Sequence, residues 1–366
     1  MRRTAGGPPV DVRLPPVGDL LLDRVQAQRF GCETGGSPLY VAVLDAVAAE
    51  MAADGRCRDV LAPYADEPVH DAMVLRFLAA VHEMVLEGAA PGLARHYPSV
   101  GGVPGPDVGR ELVAVVATHG DRLRARTALP CQTNEVGRSA ALLGGFLAVA
   151  SSGPALPLRV LEIGASAGLN LRFDHYRYEA GGAAFGPAAS PVRFLQPWES
   201  RAPDLAVGIE VAERKGCDAA PLDPTDPHDQ LRLRASLWPD QVQRRHLLDG
   251  ALEVAATVPV AVDRADAATW LADQLAEPVE GVTTVIVHSI MWNYLAADTR
   301  TELERLLDDA GGRATPTAPL ARLLMEPASA SHAEVHLTRW PAEGRSSRTE
   351  VLARTGFHGP PIRWLA

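Results

Sequence analysis

Leu158-Arg159-Val160-Leu161-Glu162-Ile163-Gly164-Ala165-Ser166-Ala167-Gly168-Leu169-Asn170-Leu171 is the stretch whose reading decides the fold. Its apolar run, Val160, Leu161 and Ile163, ends in a glycine-rich turn, and helix-compatible residues follow. That order predicts a buried strand, a tight loop and a helix start. Glycine at 164 and 168 lets a ligand approach main chain that a side chain would hold away. The loop amides and the helix N-terminus would then face whatever binds at the carboxyl end of the strand.

Three readings of the loop compete. It is a cofactor loop with the acid Glu162 two residues before Gly164, or a nucleophile elbow, or a plain strand-to-helix turn. The elbow reading arises because residues 164 to 168 also fit G-x-S-x-G. An elbow normally follows several strand-helix units and an oxyanion loop. Few strand signals precede residue 158, and there is no His-Gly-Gly run. Ser166, Asp266 and His288 can be put in a Ser-Asp-His chain order, but with 11 histidines in the chain that order discriminates little. The acidic-x-Gly-x-x-x-Gly pattern resembles motif I of the class I S-adenosylmethionine (SAM) dependent methyltransferases. The longer phrase from Leu161 to Leu171 is similar to an uncharacterised family of high-GC bacteria, and that likeness runs through most of the chain. The resemblance implies a Rossmann-like fold and S-adenosyl-L-methionine as cofactor. It implies no substrate.

The chain is 366 residues long, enough for two or three domains' worth of core. Its apolar share of 47% and charged share of 22% are those of a globular protein. No run of about 18 apolar residues predicts a membrane span. The first ten residues carry two arginines but no apolar segment of the kind that a secretory signal needs. A formal charge of −10 argues against a general nucleic-acid binder. The four cysteines, Cys32, Cys57, Cys131 and Cys217, form no C-x-x-C pair, which fits a reduced cytoplasm better than a disulfide framework. His332 and His336 share one face of an expected strand without a third ligand, so no metal site is expected.

Residues 1 to about 20 are rich in Pro and Gly and read as a mobile arm. Helical periodicity then runs from Leu20 to Phe30. It restarts at Ser37-Pro38, a cap followed by proline at the first helical position. Further helices carry Met73, Phe77, Val81 and Val85, and Leu112, Val116 and Leu123. Residues 1–130 therefore read as a helical domain and 131–366 as a Rossmann-like α/β domain. Between them lies a polar cluster, Gln132 to Ser139, ahead of an apolar helix to Val149. Either Thr133 or Asn134 caps that helix and Arg138 pairs with Glu135, or Asn134, Glu135 and Arg138 face the substrate at the mouth of a pocket.

Beyond the loop, residues 179 to 190 read as a hairpin or loop. A second strand is expected at Leu205–Val211, followed by Gly216-Cys217-Asp218. This places an insertion of some 30 residues between the first two strands. The resemblance makes Asp218 a candidate for the ribose hydroxyls; a turn aspartate is the alternative. Trp238-Pro239-Asp240-Gln241 reads as the opening of a helix. The resemblance also makes Asp266 and Ala267 candidates for the adenine, with Trp270 beside them. Capping of the helix Ala267–Leu275 by Asp266 is compatible with that role. The strand from Thr283 to Ile290 has a continuous Val/Ile core, Val285 to Val287, and reads as buried on both faces. His288, Asn293 and Tyr294 follow at its mouth as catalytic candidates, with Trp292 as a substrate contact; a core histidine is the alternative for His288. Strands at Leu320–Met325 and Ala333–Arg339, a turn at Pro341–Ser347 and extended chain to Leu365 close the domain with an antiparallel hairpin.

The expectation is thus a SAM-dependent methyltransferase acting on an O or N nucleophile of a small molecule. Its cofactor residues would be Glu162, Gly164, Ala165, Ser166, Gly168, Asn170, Asp218, Asp266 and Ala267. Three alternatives remain open: non-methylating SAM chemistry releasing methylthioadenosine, a serine hydrolase through Ser166, and a SAM-binding protein without turnover.

Overall fold

A computed structural model describes residues 19–68, 72–153, 155–199, 201–329, 331–340 and 347–366. Most of the expected arm at residues 1 to 20 and of the expected turn at 341 to 347 lies outside the described residues.

The first part is helical, as its periodicity predicts. It holds α1 (Leu20–Thr34), α2 (Pro38–Ala52), α3 (Arg56–Leu61), α4 (Met73–Leu86), α5 (Pro91–Ala94) and α6 (Val108–Thr127). Ser37 caps α2 by accepting the Tyr40 amide, with Pro38 at the first helical position. Buried apolar residues from Leu21 to Leu123 form a core of their own.

The second part opens with α7 (Arg138–Ser151) and β1 (Leu158–Ile163). Next come β2 (Arg177–Ala180), β3 (Ala183–Phe185), β4 (Arg193–Leu195) and β5 (Val211–Asp218). The chain continues through α8 (Pro227–Ala235), α9 (Val242–Ala255), β6 (Ala261–Arg264), α10 (Ala267–Gln274) and β7 (Thr283–Ser289). It ends with α11 (Ala297–Gly312), β8 (Leu320–Pro327), β9 (Ala333–Trp340), β10 (Arg348–Gly356) and β11 (Gly359–Trp364).

Eight strands form one sheet in the order β11-β10-β9-β8-β7-β1-β5-β6. The run from β6 to β8 is parallel, and β9 to β11 add an antiparallel meander. The chain winds outward from β1 to β5 and β6 on one side, then to β7 and β8 on the other. That reversal makes a topological switch point between β1 and β7, where such sheets hold their ligands. The expected late hairpin is in fact three antiparallel strands. On one face, Leu158 and Val160 pack with α7, α9 and the small sheet β3-β2-β4. On the other, Leu161 and Ile163 pack with α10 and α11.

Three expectations change. The second strand is Val211–Asp218, not Leu205–Val211. It was hidden by charge: Glu213 pairs with Arg159, Arg214 with Asp174, and Lys215 with Asp263. The segment after the loop, Asn170–His175, is one short 3-10 turn, after which the chain leaves for the small sheet. The loop therefore has no α-helix N-terminus behind it, and the predicted insertion is the small sheet with its flanking loops. Finally, Trp238 to Gln241 do open α9, with Gln241 at the N-cap position, but no side chain of the segment caps it. Asp240 reaches instead to the start of α2, accepting from the Ser37 hydroxyl at 2.8 Å and the Leu39 amide at 3.1 Å. His82 on α4 likewise meets the carbonyls of Ala235 and Leu237 at 3.1 and 3.0 Å. These contacts fasten the helical part to the α/β part.

Candidate functional site

The loop after β1 is held by the chain itself. The amides of Gly164 and Ala165 both donate to the Cys217 carbonyl. The Ser166 amide donates to Asp218 Oδ2 at 2.9 Å. Asn134 Oδ1 accepts from Ala167 and Leu169 at 3.1 and 2.9 Å, and the Gly168 amide donates to the Ala165 carbonyl. Every amide from Gly164 to Leu169 therefore has a protein acceptor. The carbonyls are similarly engaged: buried Arg172 donates to those of Ala167 and Gly168, and Tyr176 to that of Leu169. The expectation that loop amides face a ligand is corrected here. Gly164 still needs its glycine, because its φ is +70° and a Cβ would lie 3.2 Å from Met291.

A cavity of about 520 Å³ opens at the carboxyl ends of β1, β5, β6 and β7. That volume is typical of small-molecule sites. Gly164 and Ser166 line it from the loop, Asp218 from the end of β5, Asp266 and Ala267 from the start of α10, and Ser289 to Met291 from the end of β7. Arg138, Tyr294 and His358 complete it, and Ala72, Leu75 and Arg76 of the helical part cover it.

The two aspartates on this wall are placed differently. Asp218 accepts from Ser166 and Ala220 amides, with Gln132 Nε2 at 3.5 Å, so it braces the loop as it faces the cavity. Asp266 caps α10 through Oδ1 alone, at 3.1 Å from the Ala268 amide and 3.0 Å from that of Thr269. No hydrogen bond within the described residues falls on its Oδ2. Arg138, nearly buried, donates Nε to the Phe357 carbonyl at 3.2 Å and one Nη to the Ser289 carbonyl at 3.1 Å. Its second Nη has no acceptor among the described residues. Burial lowers the Arg138 pKa, an effect that Glu135 and Glu326 oppose.

Other expected residues do not reach the cavity. Glu162 lies under the loop, 2% exposed, with Oε2 lacking a partner among the described residues; burial pushes its carboxyl up to about 8 against the pull of Arg138. Ala165 and Asn170 are sealed, the latter accepting from Ser139 at 2.7 Å, and Gly168 supports the turn at φ +67°. Asn134 braces the loop; it caps no helix. Glu135 pairs with Arg244, not with Arg138.

His288 points to the opposite face of β7. Its Nδ1 meets Glu326 at 2.7 Å, its Nε2 accepts from Arg322 at 3.1 Å, and its ring stacks on Trp292 at 4.9 Å. Burial lowers its pKa against the opposing effect of Glu326. Both nitrogens are used, so the expected base does not stand at the cavity. Trp292 belongs to that stack, Asn293 is exposed outside the cavity, and Trp270 is buried with its indole on Asp263 at 2.7 Å. The Ser166 hydroxyl donates to Gln132 at 2.6 Å, so no histidine activates it, although its φ of +53° is left-handed. The triad order Ser166, Asp266, His288 is not assembled.

Two cavity residues carried no signal in the sequence. Gln132 was seen only as part of a polar run. His358 follows about 190 residues after the loop and joins it only through the β10–β11 turn.

Fold and cavity together define a class: an α/β protein with a doubly wound sheet and a ligand-sized cleft at its switch point. The chain belongs to the bacterial family DUF2332, described as uncharacterized protein conserved in bacteria, whose profile matches residues 23–364. No curated protein and no solved structure matches it. No helix among the described residues is long and apolar enough to cross a membrane.

Proposed function

We propose that the chain is a SAM-dependent methyltransferase acting on an O or N nucleophile of a small molecule. One observation carries this reading: the cavity wall offers carboxylates beside the first strand and no free loop amide. Dinucleotide and nucleotide loops hold phosphate with main-chain N–H groups. Here those donors are consumed, and Asp218 and Asp266 would repel phosphate. A nucleoside without phosphate suits the same wall. Asp266 Oδ2 would accept from an adenine amino group against Ala267, and Asp218 from ribose hydroxyls. The second Nη of Arg138 would take a carboxylate.

When bound, SAM supplies an electrophilic methyl group. The chain's part is to hold the nucleophile in line and to exclude water, with α4 covering the cleft. Glu162 acts on the loop from beneath and not on the ligand.

Differential melting with SAM, S-adenosylhomocysteine, NAD and ATP tests this reading. SAM and S-adenosylhomocysteine should raise the melting point, and NAD and ATP should leave it unchanged. A shift with NAD or ATP alone overturns it. Incubation with SAM and a panel of phenols, amines and hydroxy acids then separates the chemistries. S-adenosylhomocysteine as product means methyl transfer, and methylthioadenosine means the non-methylating alternative.

A further inference from the structure

The turn between β10 and β11 brings His358 to the cavity wall, beside a carboxylate that the rest of the fold keeps ionised. Glu135 is 2% exposed. Its Oε1 accepts the Gly137 amide at 3.2 Å and its Oε2 accepts from Arg244 at 2.7 Å. Burial opposes its ionisation, but the guanidinium groups of Arg244 and Arg138 stand against it and its carboxyl is held below the ordinary value. His358 Nδ1 lies 3.6 Å from the same Oε2, sealed from solvent and without a hydrogen bond among the described residues. A shift of a few tenths of an ångström makes it a hydrogen bond. The ring is fixed edge-on against Trp238, 6.1 Å between centroids. Nε2 has no partner among the described residues.

The contact that sets this geometry is main chain on main chain. A Cβ on Gly137 would lie 2.2 Å from the His358 carbonyl oxygen, and one on Gly359 2.2 Å from the Gly137 carbonyl oxygen. Arg138 ties the Phe357 carbonyl to the same turn at 3.2 Å. The antiparallel meander thus adds a histidine to the cleft, with a carboxylate behind it.

We infer that His358 is the proton acceptor of the cleft and that Glu135 is its positioning residue. The inference rests on the reading of the cavity as the substrate site, and not on the identity of the cofactor. The proton of a ligand O–H or N–H passes to Nε2, and the electron pair that held it stays on the heteroatom as the nucleophile. Nδ1–H closes onto Glu135, which stays ionised. The proton leaves to water when product departs. This is the carboxylate-imidazole order that orients a base toward its substrate. Three charged groups bear on the ring. Glu135 favours the imidazolium, and Arg244 and Arg138 oppose it; burial, the largest influence, pushes the imidazole down to about 4. It is therefore neutral at pH 7, with one ring nitrogen unprotonated.

Diethyl pyrocarbonate, which acylates neutral imidazole nitrogen, is the probe. The full chain is labelled from pH 5 to 8 and the histidines are scored by peptide mass. His358 should take the label throughout this range, as an imidazole already neutral at pH 5 does, and lose it when S-adenosylhomocysteine saturates the protein. In Glu135→Gln the His358 labelling rate should change while the rates of exposed His228 and His246 do not. Against any acceptor that the panel yields, His358→Asn should lower kcat roughly 10²- to 10⁴-fold with unchanged S-adenosylhomocysteine affinity. If Glu135→Gln does not fold, wild-type labelling and the half-buried His358→Asn decide. Labelling of His358 with no effect of S-adenosylhomocysteine on labelling or melting keeps the inference and sinks the cofactor reading. No label on His358, or a rate indifferent to Glu135→Gln, overturns the inference.

Discussion

Asn134 Oδ1 stands 2.9 Å from the Leu169 amide nitrogen, and the same oxygen also takes the Ala167 amide. One side chain ahead of α7 thus holds two donors of the loop after β1. Asn134→Ala leaves both buried amides without an acceptor. The expected cost is about 2–4 kcal/mol, read by urea denaturation. Asn134→Asp keeps the acceptor and should lose less. Equal loss in both would mean that the amide's own donors matter more than its oxygen.

Glu162 sets a pH dependence. Burial, the largest influence, raises its carboxyl from 4.5 to about 8, with Asp218 adding to the rise and Arg138 and Arg172 opposing it. The folded chain therefore holds a proton that the unfolded chain releases above its lower value. Stability is complete below pH 4.5 and falls as pH rises through 8. At about 1.4 kcal/mol per pKa unit the loss is roughly 2–5 kcal/mol. Glu162→Gln carries no such proton. Its stability curve should be flatter across this range and lie above wild type at pH 8.5. Parallel curves for the two proteins would show that Glu162 is ionised in the fold.

Asp266 separates a helix cap from a ligand contact. Asp266→Ala removes both and should cost about 1 kcal/mol of stability. Asp266→Asn keeps an Oδ1 for the amides of Ala268 and Thr269, but turns a donor toward the cleft. It should melt close to wild type and bind S-adenosylhomocysteine about tenfold more weakly by calorimetry. Unchanged affinity in Asp266→Asn would leave the residue as a cap only.

The sequence disclosed those elements whose own periodicity or caps declare them. Ser37-Pro38 marks α2, the apolar run 285 to 287 marks β7, and Asp266 marks α10. The loop was visible, but its bracing was not, because Asn134 and Asp218 act on it from 33 and 52 residues away. The strand Val211–Asp218 carries charges paired with Arg159, Asp174 and Asp263, so no apolar alternation marks it. His288 looked like a base because it ends a buried strand. A strand alternates faces, and whether residue 288 or 289 meets the cleft depends on register, which only pairing fixes. His358 gave no local sign, since its place depends on the packing of two glycine backbones.

Those two glycines make the last test. Gly359 has φ +95°, and a Cβ there would lie 2.2 Å from the Gly137 carbonyl oxygen, with backbone on both sides and no flexible side chain to yield. Gly359→Ala must therefore open the β10–β11 turn away from α7, at a cost of about 2–4 kcal/mol. His358 would move with it, away from Glu135. Gly356, three residues earlier in the same hairpin, is the control. Its φ is not left-handed, and the nearest atom to an added Cβ, the Gly359 carbonyl oxygen, is 3.6 Å away. Gly356→Ala should stay within about 0.5 kcal/mol of wild type. Urea denaturation measures both, and diethyl pyrocarbonate labelling at pH 7 shows whether His358 loses its shielded character in Gly359→Ala alone. If the two variants behave alike, the turn is not fixed by contact with Gly137, and the placement of His358 beside Glu135 has lost its cause.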